Sequence, residues 1–118
     1  MKTSWTKSFD FSASYADGPK VIGRNYRLSV TLEGCQPSTE RTFQECIEKE
    51  LIQKLHSRDL SLHVDFLKGS AMDEPTLLRH FWPIVEKACQ GATLVSLGLE
   101  RDQRTRWMLS AGRGEAFA

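Results

Sequence analysis

The sequence predicts an α+β domain: a four-stranded antiparallel sheet with two helices on one face, in the order β-β-α-α-β-β. Three observations carry this. Near the start, Trp5 to Tyr15 and Val21 to Gly34 alternate apolar and polar residues, as half-buried strands do. In the middle, Ser38 to Leu60 and Asp73 to Gly91 repeat their apolar residues at helical spacing. The alternation then returns after Thr93.

In the first strand, Trp5, Phe9, Phe11, Ala13 and Tyr15 share a face, with Thr6, Ser8, Asp10, Ser12 and Ser14 on the other. Asp17-Gly18-Pro19 breaks it. The second strand puts Tyr26, Leu28, Val30 and Leu32 on one face, and Gly34 to Thr39 ends it. Phe43, Ile47, Leu51 and Leu55 form the apolar stripe of the first helix, with Cys46 and Ile52 beside it. Thr42 and Glu45 have the spacing of a capping box, with Ser38 and Thr39 as competing caps. Its opposite face, Glu45, Glu48, Lys49, Gln53 and Lys54, reads as solvated. Ser61 to Pro75 is a loop with a short apolar piece. The second helix starts near Asp73 or Glu74, with Pro75 in its first turn, Pro83 as a kink and Gly91 as its stop. Val95, Leu97 and Leu99 face the core from the third strand, Arg101 to Arg104 turn, and Thr105 to Gly112 form the last strand before the tail 113–118. Such a sheet has two open edges and one uncovered face. Apolar strand positions on both sides suggest that other subunits cover them.

The 118 residues suit one domain, 1–118. Hydrophobic residues at 40% and charged residues at 26% are ordinary for a soluble globular chain. A net charge of +1 gives no electrostatic case for nucleic acid or membrane partners. The apolar runs are too short to span a bilayer, and the first residues hold no apolar segment of a signal peptide, so the expectation is a cytoplasmic protein. Cys35, Cys46 and Cys89 have no CxxC spacing and no histidine at diagnostic spacing, and read as reduced thiols. His56, His63 and His80 match no metal motif.

The order of elements and several local motifs resemble the 6-pyruvoyl-tetrahydropterin synthase and 6-carboxy-tetrahydropterin synthase family, which has the tunnelling fold. The family's F-x-A-x-H is matched by Phe11-Ser12-Ala13-Ser14-Tyr15, and its H-G-H-N-Y by Ile22-Gly23-Arg24-Asn25-Tyr26. Its Pro-Thr pair is matched by Pro75-Thr76, and its V-x-E-T by Gly98-Leu99-Glu100-Arg101. The resemblance implies protomers that close into a trimer, or a stacked hexamer, around pockets shared between subunits. It implies that Glu100 binds a pterin- or purine-like ring, since a carboxylate accepts two hydrogen bonds from an amino-pyrimidinone edge, and that Thr76 borders that ring.

The departures concern the metal. Where the family holds zinc with three histidines, this chain has Tyr15, Ile22 and Arg24. Isoleucine has no donor atom and arginine is a permanent cation, so the family's zinc is expected to be absent. The family's nucleophilic cysteine falls on or near Gly18, and its Asp-His pair on His63 and Val64, with Asp65 close by. His63 and Asp65 are thus the candidates for proton transfer. Arg24 is expected either to meet an anionic part of a ligand or to pair with Asp10, Asp17, Asp65 or Glu100. Glu100 is expected either to face the ring or to pair with Arg101, Arg104 or Arg106. The leading expectation is a zinc-free homologue that retains a ring-binding pocket at a subunit interface. The alternatives are an enzyme using Arg24 in place of the metal, with His63 or Asp65 carrying the proton, and a structural or partner-binding oligomer.

Overall fold

The computed structural model describes residues 3–89 and 91–111. The tail 113–118, Gly112 of the expected last strand and Met1 and Lys2 lie outside the described residues. Two long strands, β1 (Ser4–Asp17) and β2 (Lys20–Glu33), pair antiparallel along their full length, from Ser4 opposite Glu33 to Asp17 opposite Lys20. The strand ends at Asp17, at the break expected from Asp17-Gly18-Pro19. Gly18 and Pro19 form the hairpin loop, and Gly18 takes the positive φ of 61° that such a tight loop requires.

The sheet has five strands of mixed direction in the order β3-β1-β2-β4-β5, which corrects the expected four antiparallel strands. The added member is β3 (Arg58–Asp59), which runs parallel to Ala13 and Ser14 of β1. A two-residue strand leaves no periodic signal. It forms because the first helix ends against β1: the Ser57 N–H donates to the Ser12 carbonyl at 2.6 Å, and the Leu60 N–H to that of Ser14 at 2.7 Å. β4 (Thr93–Arg101) and β5 (Thr105–Ser110) complete the sheet antiparallel to β2.

The first helix runs over 37–55 as a 3₁₀ turn at Pro37–Thr39, an α segment Glu40–Ile47, a π turn Glu48–Ile52 and a last α turn Gln53–Leu55. The π turn holds one more residue than an α turn and re-aims the stripe, so that Leu51, Ile52 and Leu55 are all buried. No side chain caps its start: the helix begins at Pro37, Thr39 Oγ1 turns back to the Gln36 carbonyl, and the expected box of Thr42 and Glu45 does not form. The second helix, Glu74–Ala88, has Asp73 as its N-cap, accepting the Thr76 N–H, with Pro75 in the first turn. Pro83 lies within this helix on its exposed side, where the hydrogen bond it cannot make is lost to water rather than to the core.

Both helices pack on one sheet face. The core joins Phe9, Phe11, Tyr26, Leu28, Val30 and Leu32 of the sheet to Ile47, Leu51, Leu77 and Phe81 of the helices. Leu94, not Val95, turns inward from β4, because a bulge opposite Thr31 and Leu32 resets the alternation. The other sheet face is mostly polar, with Val21 and Met108 as exposed apolar residues on it. Its rungs are closed by side chains: Thr6 to Thr31 at 2.9 Å, Ser8 to Ser29 at 3.2 Å, Arg27 to Asp10 at 2.8 Å and Ser12 to Asn25 at 2.7 Å.

Candidate functional site

Strand register sorts the candidate residues into two neighbourhoods on opposite sides of the sheet. On the helix side, Tyr15 and Ile22 face one another across β1 and β2, and Arg24 lies two residues further along β2. The three positions matched to the family's zinc histidines are thus neighbours. Their side chains do not fit a three-histidine zinc set, since Ile22 has no donor atom and Arg24 is a cation.

An ion-pair cluster occupies this end of the sheet instead. Arg24 Nη1 donates to Asp102 Oδ2 at 3.2 Å, a partner outside the four carboxylates expected from sequence. Asp102 Oδ1 accepts the Asn25 N–H at 3.1 Å, and the Asp102 N–H returns to the Asn25 carbonyl at 2.8 Å. These contacts hold the β4–β5 turn, where Asp102 and Gln103 take positive φ of 51° and 63°. Tyr15 first, and Asp102 after it, push the Arg24 guanidinium above its ordinary value, against the opposing effect of burial. Its Nε is buried with no hydrogen-bond partner among the described residues. One rung inward, Tyr26 stacks on Phe11 with ring centroids 5.1 Å apart. Burial, and then the nearby Tyr15 and Glu74, push its hydroxyl far above the ordinary tyrosine range, against the opposing pull of Arg24 and Arg101. Glu74, 8% exposed, is neutralised by Arg101 Nε at 3.2 Å.

On the polar face, Glu100 lies in a different place. Leu99 beside it points into the core, so Glu100 points away from the helices, into a cavity of about 270 Å³ that Asp10, Asn25, Arg27, His56 and Gln103 also line. Register sets charges across four strands here: Asp10 opposite Arg27, Arg27 opposite Glu100, and Glu100 opposite Arg106. Arg27 spends its guanidinium on Asp10, with Nε to Oδ1 at 2.8 Å and Nη2 to Oδ2 at 3.4 Å. Among the described residues Glu100 makes no hydrogen bond and no ion pair, so none of the arginines expected as its partners takes it.

His56, which has no motif in the sequence, is a member of this cavity. Its Nδ1 accepts the Ser12 N–H at 3.1 Å, which fixes the ring against β1. The other sequence candidates lie elsewhere. Thr76 gives both its N–H and its hydroxyl to Asp73 Oδ1. His63 and Asp65 line a separate hollow of about 710 Å³ with Lys49, Lys54 and Arg58, and Asp65 is paired with Lys68 at 3.1 Å. His80 meets Ser70 Oγ at 2.8 Å. Burial pushes the Cys89 thiol up to about 12, with Cys46 and Cys35 adding to the effect, so it stays protonated at neutral pH. Asp10 and Arg27 were not read as neighbours of Glu100 because only cross-strand register brings them there, and Gln103 joins them through the β4–β5 turn.

No protein-family model and no curated protein matches the sequence. Solved structures do match the fold. The 6-pyruvoyl tetrahydropterin synthase of Caenorhabditis elegans superposes with a TM-score of 0.79 over 95% of this chain and 97% of that one, at 13% identity. An uncharacterized protein from Wolinella succinogenes superposes with a TM-score of 0.67 over 95% of this chain and 99% of that one, at 12% identity. The strand order, the two helices on one face and the near-complete mutual coverage agree: this chain has the fold of 6-pyruvoyl tetrahydropterin synthase.

Proposed function

We propose that the chain is a divergent, zinc-free homologue of 6-pyruvoyl-tetrahydropterin synthase that binds a pterin- or purine-type ring through Glu100 at an interface between identical subunits. One observation carries this reading. Glu100 is a half-buried carboxylate in a cavity, with cations on both neighbouring strands, and it is paired with neither. An unpaired carboxylate of this kind is suited to two parallel N–H donors, the edge that an amino-pyrimidinone ring presents. The donor set of Tyr15, Ile22 and Arg24 supports the absence of zinc. The interface rests on the resemblance and on the open polar face beside Glu100. An Arg24-based catalyst draws less support, because Arg24 lies on the other face of the sheet and is engaged by Asp102.

The test is titration calorimetry of the purified protein with pterin and with guanine, alongside Glu100→Gln. Losing one charge-assisted pair of hydrogen bonds weakens binding about 100-fold. Equal binding by wild type and variant, or no binding of any such ring to the wild type, overturns the reading.

A further inference from the structure

We propose that Asp10 is a positioning residue that keeps the Glu100 carboxylate open by holding Arg27 away from it. This rests on Glu100 being the ligand carboxylate. Arg27 has Asp10 directly opposite on one neighbouring strand and Glu100 directly opposite on the other. Directly opposed side chains start about 5 Å apart at Cβ, so one guanidinium has two carboxylates within reach. It can make a fork with only one of them, and it lies on Asp10 through two nitrogens, at 2.8 and 3.4 Å. The charge states agree: Asp10 is held below the usual carboxylate range chiefly by its hydrogen bond from Arg27, whereas Glu100 acts on Arg27 only as a more distant charge.

The strand on the other side of Glu100 shows the same arrangement by another route. Arg106 is opposite Glu100, but its guanidinium lies over Gly98. A Cβ on Gly98 would come within 3.4 Å of Arg106 Nε and 2.7 Å of Met108 Sδ. The missing side chain gives Arg106 somewhere else to lie. Both flanking cations are therefore diverted, and the lone pairs of Glu100 stay available to a ligand.

Removing Asp10 frees Arg27 to turn to Glu100 and occupy those lone pairs. Asp10→Ala then weakens binding of pterin about fivefold, the scale of one half-exposed ion pair. Adding Arg27→Met to Asp10→Ala removes the competitor and restores binding to within about twofold of Arg27→Met alone. These substitutions fall on exposed strand positions, where the fold tolerates them. Glu100→Gln and a crystal structure of Asp10→Ala complete the set. Binding that survives Asp10→Ala unchanged while Glu100→Gln abolishes it overturns the role of Asp10 and leaves the ring site standing. A loss in Asp10→Ala that Arg27→Met does not rescue also overturns it, because Asp10 then acts on the ring directly. If Glu100→Gln changes nothing, the ring reading fails, and the crystal structure decides alone. Arg27 seated on Glu100 in Asp10→Ala supports the positioning role, and Arg27 left where it was overturns it.

Discussion

Three substitutions at one end of the sheet decide what chemistry that end can do. Tyr15, Ile22 and Arg24 are neighbours where β1 pairs with β2, so the three positions that the resemblance matches to zinc histidines fall together. A guanidinium fixed by Asp102 cross-links β2 to the β4–β5 turn, a task a bound cation could also serve. Metal analysis of protein expressed with added zinc should therefore find well under one zinc per chain; one equivalent retained through dialysis against a chelator would overturn the zinc-free reading. The residue types at these three positions were legible in the sequence, and their adjacency follows from the pairing of β1 with β2. The partner of Arg24 was not. Asp102 is 78 positions away, and only the pairing of β2 with β4 brings it close.

Among the elements, the second helix is the most readable and the most testable. Asp73 accepts both the N–H and the hydroxyl of Thr76, and these bonds, the N–H first, hold its carboxyl below its ordinary 3.8. Asp73→Ala should cost about 1 kcal/mol in urea unfolding near neutral pH. Because the folded pKa is lowered, this contribution is present above about pH 4 and fades as the pH falls through the folded value, so the two proteins should converge in acid. The same helix start carries Glu74, buried against Arg101. Arg101→Met leaves that carboxylate buried alone and should cost about 2–3 kcal/mol, whereas Arg101→Met with Glu74→Met should recover most of the loss. Equal instability of the single and double variants would show that packing, not charge, holds this corner. The first helix was read less fully. Its apolar stripe fixes its existence, but a π turn and a start at Pro37 depend on how the stripe fits the sheet.

For the whole molecule, the sheet margins matter most. Among the described residues β5 has a free edge, with Trp107 48% and Met108 51% exposed, and β3 covers only Ala13 and Ser14 of β1 at the opposite margin. Two free edges of one sheet can pair head to tail and close a ring. Light scattering coupled to size exclusion should find a trimer or hexamer, which Trp107→Glu should weaken; a wild-type monomer at micromolar concentration would sink the assembly. The polar face beside Glu100 would then line the inside of that ring. Among the described residues, no helix is long and apolar enough to cross a membrane.

The sequence by itself determined the two long strands, the two helices, the last two strands and the core stripe, because periodicity is a local property. Tertiary structure alone decided that Glu100 and Arg24 lie on opposite sides of the sheet, that His56 joins the Glu100 cavity, and that Asp10 rather than Glu100 takes Arg27. Each of these depends on which strands pair and in what register. Register is set by the packing of the whole core, so no single stretch of the chain records it.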